Sequence, residues 1–201
     1  MLPVKALPAA KSRLLPASSD EAAHRRLVEA VRTDTLSTAR AAAGVARVLV
    51  VADRPGLFGD AEVLVQSRPG LNSALTEAAE HAARNWPADG IAALVGDLPA
   101  LRPEELAAAL TEAAAHARCY VPDAAGTGTT MLAVRPGTPL RPAFGPASAS
   151  RHAEAATALA AGPGLRRDVD TEADLWAAAE LGLGPATAAA LGVAAGFARS
   201  P

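Results

Sequence analysis

The chain holds a single cysteine, Cys119, which excludes an intramolecular disulfide and any cysteine-based zinc cluster. That usage suits a reducing cytoplasm. No apolar run approaches the ~18 residues needed to span a bilayer, and the amino terminus shows no signal-peptide pattern, so a soluble cytoplasmic protein is expected. Charge of neither sign dominates. With 19 Lys and Arg against 21 Asp and Glu, net -2, a broad nucleic-acid or anionic-membrane surface is not expected, and any phosphate site must be local. Aromatic residues make up only 3%, so the core must be built from Ala, Leu and Val. The Walker pattern Gly-x-x-x-x-Gly-Lys-Ser/Thr is missing, as is a Gly-x-Gly-x-x-Gly after a strand. What remains is a chain of 201 residues with 50% hydrophobic content, enough for one well-buried domain.

Strand and helix patterns alternate. Ser18 and Glu21 form a capping-box pattern for a long amphipathic helix carrying Leu27, Val28, Val31 and Leu36, closed near Gly44. Val45–Ala52 reads as a β-branched strand and Glu62–Gln66 as a shorter one. A helix capped by Asn72 should end at Trp86-Pro87. Ile91–Val95 is an apolar run of the kind buried on both faces of a sheet, and Pro103 restarts the chain as a helix with Glu104 and Glu105 in its first turn. Such alternation predicts right-handed crossovers and a mostly parallel twisted sheet flanked by helices.

The candidate chemistry falls between these elements. Gly96 ends the central strand and Asp97 follows at its carboxyl edge, where open α/β sheets bind ligands and a carboxylate can hold Mg²⁺. The alternative is a turn cap. Lys5, Lys11 and Arg13, among prolines that forbid a helix, could grip a polyphosphate or form a solvated loop. Two short strands, Cys119–Val121 and Met131–Val134, flank Gly126-Thr127-Gly128-Thr129-Thr130, which reads either as an anion-binding loop or as a hairpin turn; Cys119 itself reads as a small buried hydrophobe. Ser148 is placed to cap a helix running through His152 to about Ala161, offering free N–H groups to an anion, while His152 is a structural hydrogen-bonding group or a base. Asp168 and Asp170 lie on one side of an extended segment, and one of them could meet Asp97 around a metal ion. Residues 182–201 form an Ala/Gly-rich tail without legible chemistry, leaving 1–181 as the domain.

Taken together, Pro3-Val4-Lys5, Lys11–Leu14, Gly70-Leu71-Asn72, Gly96–Pro99, Pro122-Asp123, Gly126–Thr130, Phe144-Gly145, Ser148, His152 and Asp168–Thr171 resemble the guanylyltransferases of coenzyme F-420 biosynthesis. The resemblance implies a single-domain fold of the nucleotide-diphospho-sugar transferase type. It implies transfer of GMP from GTP to a phosphorylated three-carbon acid, phosphoenolpyruvate in the bacterial branch or 2-phospho-L-lactate in the archaeal one, with release of pyrophosphate. On the same ground, Asp97 and Asp170 would hold Mg²⁺, with Lys11 catalytic beside them. Thr130, Gly145 and Ser148 would hold the acceptor phosphate; Lys5, Lys11 and Arg13 would follow the GTP phosphates; Gly70, Leu71 and Asn72 would lie near the nucleoside. Hand-over of the unstable product to the next enzyme of the pathway is expected. The Ala- and Arg-rich composition suggests a bacterial source and favours phosphoenolpyruvate. A molybdopterin or sugar-phosphate nucleotidyltransferase and a non-catalytic nucleotide-binding module are the rival functions. Only Met1 and Leu2 precede Pro3, where the family carries a longer apolar first strand, so β-sheet pairing at the amino terminus is expected to be short; Thr130 stands where some members carry Asn.

Overall fold

Two sheet segments form the centre of the computed structural model, which describes residues 2–4, 14, 18, 20–55 and 61–193. The first contains β1 (Leu2–Val4), β2 (Leu49–Ala52) and β3 (Glu62–Val65), all parallel, in the order β1-β2-β3. The second contains β4 (Ile91–Leu94), β5 (Arg118–Pro122), β6 (Thr129–Val134) and β7 (Thr157–Ala158), in the order β4-β6-β5-β7. Strand β4 lies against β1. Within the second segment β6 alone runs against its neighbours, because a short hairpin joins it to β5 and such a link permits only antiparallel pairing. The expected α/β sheet is present, with this one reversal.

Seven helices flank the sheet among the described residues: α1 (Glu21–Ala41), α2 (Leu71–Asn85), α3 (Pro103–Ala113), α4 (Ser148–Ala153), α5 (Pro163–Arg166), α6 (Glu172–Leu181) and α7 (Pro185–Leu191). None is long and apolar enough to cross a membrane. The cap of α1 is Asp20 and not Ser18: the Ala23 N–H donates to Asp20 Oδ1 at 2.7 Å. Nor is Asn72 a cap; Gly70 occupies that position of α2 with φ 102°, where a Cβ would be strained. Among the described residues β2 begins at Leu49, and Leu2 of β1 pairs with Val50. A cavity of about 470 Å³ is lined by Val45, Val48, Leu49, Ile91, Ala92 and Leu110 among others.

Helix α4 stops at Ala153, well before Ala161, because Thr157 and Ala158 pair with Cys119 and Tyr120 as β7. Residues 182–193, which composition alone reads as the start of a tail, pack into the body of the fold. Helix α7 lies along α1, with Leu183 and Ala188 in a buried cluster with Leu27, Val31, Val169 and Leu175. Its amino end is held by Asp34 of α1, whose carboxylate accepts the N–H groups of Ala186 at 3.0 Å and Thr187 at 2.7 Å.

Candidate functional site

Asp97 follows β4 in a turn that three other elements fasten. The Leu98 N–H donates to the Thr35 hydroxyl of α1 at 2.9 Å, and that hydroxyl donates in turn to Val31 O at 2.9 Å. Gly184 N–H donates to Pro99 O at 2.8 Å, and Val169 N–H to Asp97 O at 3.1 Å. Val169 is fully buried, and this bond sets the segment that carries Asp168 and Asp170 against the turn at the carboxyl end of β4.

Arg32 of α1 joins them. Burial holds its guanidinium below the ordinary arginine pKa, opposed by the negative charges of Asp97, Glu29 and Asp53 in that order. Neither Arg32 nor Thr35 stands in a motif that marks it. The available signal was the apolar stripe Leu27, Val31, Thr35, on which a polar residue takes a core position four residues on from Val31 and Arg32 follows the same face one turn earlier.

The acceptor-side positions assemble beside this turn. Val95 N–H donates to Thr130 O at 2.9 Å, joining β4 to the start of β6. The Thr130 side chain is buried, with its hydroxyl 3.4 Å from Val121 O. The Gly-Thr loop is a hairpin turn, and its convergent amides serve an internal anion: Asp123 accepts Thr127 N–H at 2.9 Å and Gly128 N–H at 2.7 Å. A Cβ at Gly128 would collide with that carboxylate, which is why glycine stands there. Thr127 O then accepts Ala149 N–H at 3.1 Å, and Gly145 O accepts Ser148 N–H at 3.1 Å. Ser148 is therefore the first residue of α4 and not its cap, which is Ala147 with φ 56°; the amides expected to be free at this helix end are partly spent.

The loop before α4 is fixed through its backbone by side chains. His152 Nε2 accepts Ala143 N–H at 2.9 Å, so the ring proton sits on Nδ1 and faces Thr129 Oγ1 at 2.8 Å. Burial, with Arg151 adding to it, pushes the imidazole pKa down to about 4, and the ring is neutral. The Arg151 guanidinium donates to Ala143 O and Pro146 O. Asn72 donates to Phe144 O at 3.1 Å and accepts Phe144 N–H at 2.8 Å. The result is a loop framed on all sides around Gly145, whose φ of 118° suits glycine.

Hydrogen bonds link the Asp97 turn to Val169, the residue before Asp170, and link Val95 to Thr130, Gly145 to Ser148, and Asn72 to Phe144, the residue before Gly145. Lys5, Lys11 and Arg13 lie outside the described residues. Neither familiar nucleophile nor base is poised here: both His152 nitrogens are engaged, and Cys119 is buried with its thiol pushed up to about 11. Among the described residues no group of three or more His, Cys, Asp or Glu is placed to hold a metal ion. A pair of carboxylates such as Asp97 and Asp170 is a donor set that would fit Mg²⁺, a hard cation commonly held by one or two carboxylates with substrate phosphates and water completing its shell. The 470 Å³ cavity lies at the opposite end of the strands.

The family model described as Guanylyl transferase CofC like matches residues 1–166. Phosphoenolpyruvate guanylyltransferase of Geodermatophilus obscurus is 50% identical, covering 97% of this chain and 94% of its own. The protein of the same name from Salinispora arenicola is 48% identical over the same shares. Among solved structures, a candidate nucleotide-diphospho-sugar transferase from Desulfovibrio desulfuricans G20 superposes with TM-score 0.65 at 15% identity, over 87% of this chain and 82% of its own. Rv0371c from Mycobacterium tuberculosis H37Rv does so with TM-score 0.55 at 20% identity, over 89% and 96%. These two likenesses bear on the fold alone.

Proposed function

The chain belongs to the guanylyl transferase CofC-like family, and we infer that it transfers GMP from GTP to phosphoenolpyruvate, giving enolpyruvyl-diphospho-guanosine and pyrophosphate. The observation that carries this reading is the 50% identity to a phosphoenolpyruvate guanylyltransferase across 97% of the chain. The site's chemistry is consistent with it. An oxygen of the acceptor phosphate attacks the α-phosphorus of GTP; a new P–O bond forms as the bond from the α-phosphorus to the bridging oxygen breaks, and pyrophosphate leaves with the electron pair. A phosphate already ionised at neutral pH needs no general base, which agrees with the neutral, fully engaged His152. Bringing two polyanions together is the main obstacle, so positive charge and backbone donors do most of the work. Asp97 and Asp170 would hold Mg²⁺, which when bound supplies Lewis-acid neutralisation of phosphate charge. Lys5, Lys11 and Arg13 are assigned to the GTP phosphates, Thr130, Gly145 and Ser148 to the acceptor, and Arg32 adds a cation at the metal side.

2-Phospho-L-lactate is the second reading, since it shares the phosphate and carboxylate and differs at one carbon, a fit difference worth about 1–3 kcal/mol. Pyrophosphate release from GTP, measured with phosphoenolpyruvate, 2-phospho-L-lactate, a sugar phosphate and a molybdopterin, tests both. The largest kcat/KM is expected with phosphoenolpyruvate; a larger value for phospholactate would move the acceptor assignment, and release with none would overturn the transfer itself. Coenzyme F-420 biosynthesis is the pathway this product would serve, and loss of the coenzyme from a strain lacking the gene would be the matching result.

A further inference from the structure

Asn72 begins the second residue of α2, at the end of that helix read as the nucleoside side of the site, yet its side chain is spent elsewhere. Its Oδ1 accepts the Phe144 N–H at 2.8 Å and its Nδ2 donates to Phe144 O at 3.1 Å, so one amide closes on both faces of a single residue's backbone 72 positions away. The next residue is Gly145, and Gly145 O receives the first N–H of α4. From the other side, His152 and Arg151 hold the preceding Ala143 by its N–H and its carbonyl. Remove Asn72 and the loop stays tethered at Ala143, and through Gly145 O and Pro146 O to α4, but loses its tie to α2 at Phe144.

We propose that Asn72 is a positioning residue that ties the nucleotide end of α2 to the Phe144-Gly145 loop and so sets the acceptor pocket. This rests on the guanylyl transfer proposed above. It differs from reading the Asn72 amide as a contact to the guanine base, because an amide bonded twice to Phe144 has one N–H and one lone pair left, and these point away from each other and cannot together meet a base edge.

The two roles separate in kinetics. With Asn72→Ala the acceptor KM should rise about tenfold, the scale of losing two ordinary hydrogen bonds in a shared loop, while the GTP KM stays within about twofold and the preference for GTP over ATP is kept. Asn72→Asp retains an acceptor for Phe144 N–H but sets a carboxylate oxygen against Phe144 O, and should fall between the wild type and Asn72→Ala. A second readout does not depend on turnover: amide hydrogen exchange at Phe144 should quicken about tenfold in Asn72→Ala with β4 and β6 protection unchanged. A rise in GTP KM alone, or loss of the GTP over ATP preference, would overturn the proposal. So would unchanged protection at Phe144, even in a protein that transferred nothing; wild-type inactivity with every acceptor would count against the reaction and not against the tie.

Discussion

Replacing Asp34 by alanine removes the anion on which α7 is mounted. The carboxylate is 4% exposed and receives two amides, Thr187 at 2.7 Å and Ala186 at 3.0 Å, from the first turn of the helix. Gly184, just ahead, is packed so close to Asp34 that a Cβ there would collide with it. Leaving the buried Thr187 N–H and the half-buried Ala186 N–H without acceptors costs up to about 1–3 kcal/mol each, and the lost charge at a helix amino terminus adds about 0.3–1 kcal/mol. The alternative response is for α7 to undock, which exposes Leu183 and forfeits about 1.5–3 kcal/mol of burial for that side chain. The protein takes the cheaper route, so a loss of about 3 kcal/mol is expected. For a domain of this size that is a fall of about 10 °C in Tm. Asp34→Asn keeps one acceptor and should lose roughly half as much. Thermal unfolding followed by circular dichroism, with hydrogen exchange read at Thr187, checks both numbers. A Tm within about 1 °C of wild type and unchanged protection at Thr187 would refute the reasoning.

Activity should require a divalent cation, and Asp97→Asn or Asp170→Asn should lower turnover about 10²-fold or more in steady-state assays, the scale of removing one charge contact in the transition state; normal turnover in a folded variant would release that residue from the metal site. His152 titrates at about 4 in the fold and near 6.5 unfolded, so its stabilising effect is complete above pH 6.5 and is lost as pH falls through 4. Urea unfolding between pH 7 and 4.5 should show that decline in the wild type and less of it in His152→Gln.

Much of this fold was legible because it rests on local rules. The apolar run read at Ile91–Val95 forms β4 over Ile91–Leu94 with Gly96 just beyond it, and Pro103 starts α3; each is specified by residues a few positions apart. The same locality misled at Ser18, Asn72 and Ser148, where a good capping residue stood near a helix start and the chain used its neighbour. Capping preferences differ by about 1 kcal/mol, less than the hydrogen bonds that tertiary packing offered Asn72.

The order of motifs in the sequence was enough to identify the family. What needed three dimensions was every relation between distant segments. That the segment bearing Asp170 lies against the Asp97 turn depends on a Val169 amide bonding across 72 residues to Asp97 O. That the Gly-Thr loop has its amides filled depends on the rotamer of Asp123, and that Arg32 feels the charge of Asp97 depends on where α1 comes to rest. Asp34 looks like any surface acid in a helix until α7 folds back onto it. A sequence records which groups can donate, accept or carry charge; only the packed chain decides which partner each one meets, since burial makes an unmet partner costly.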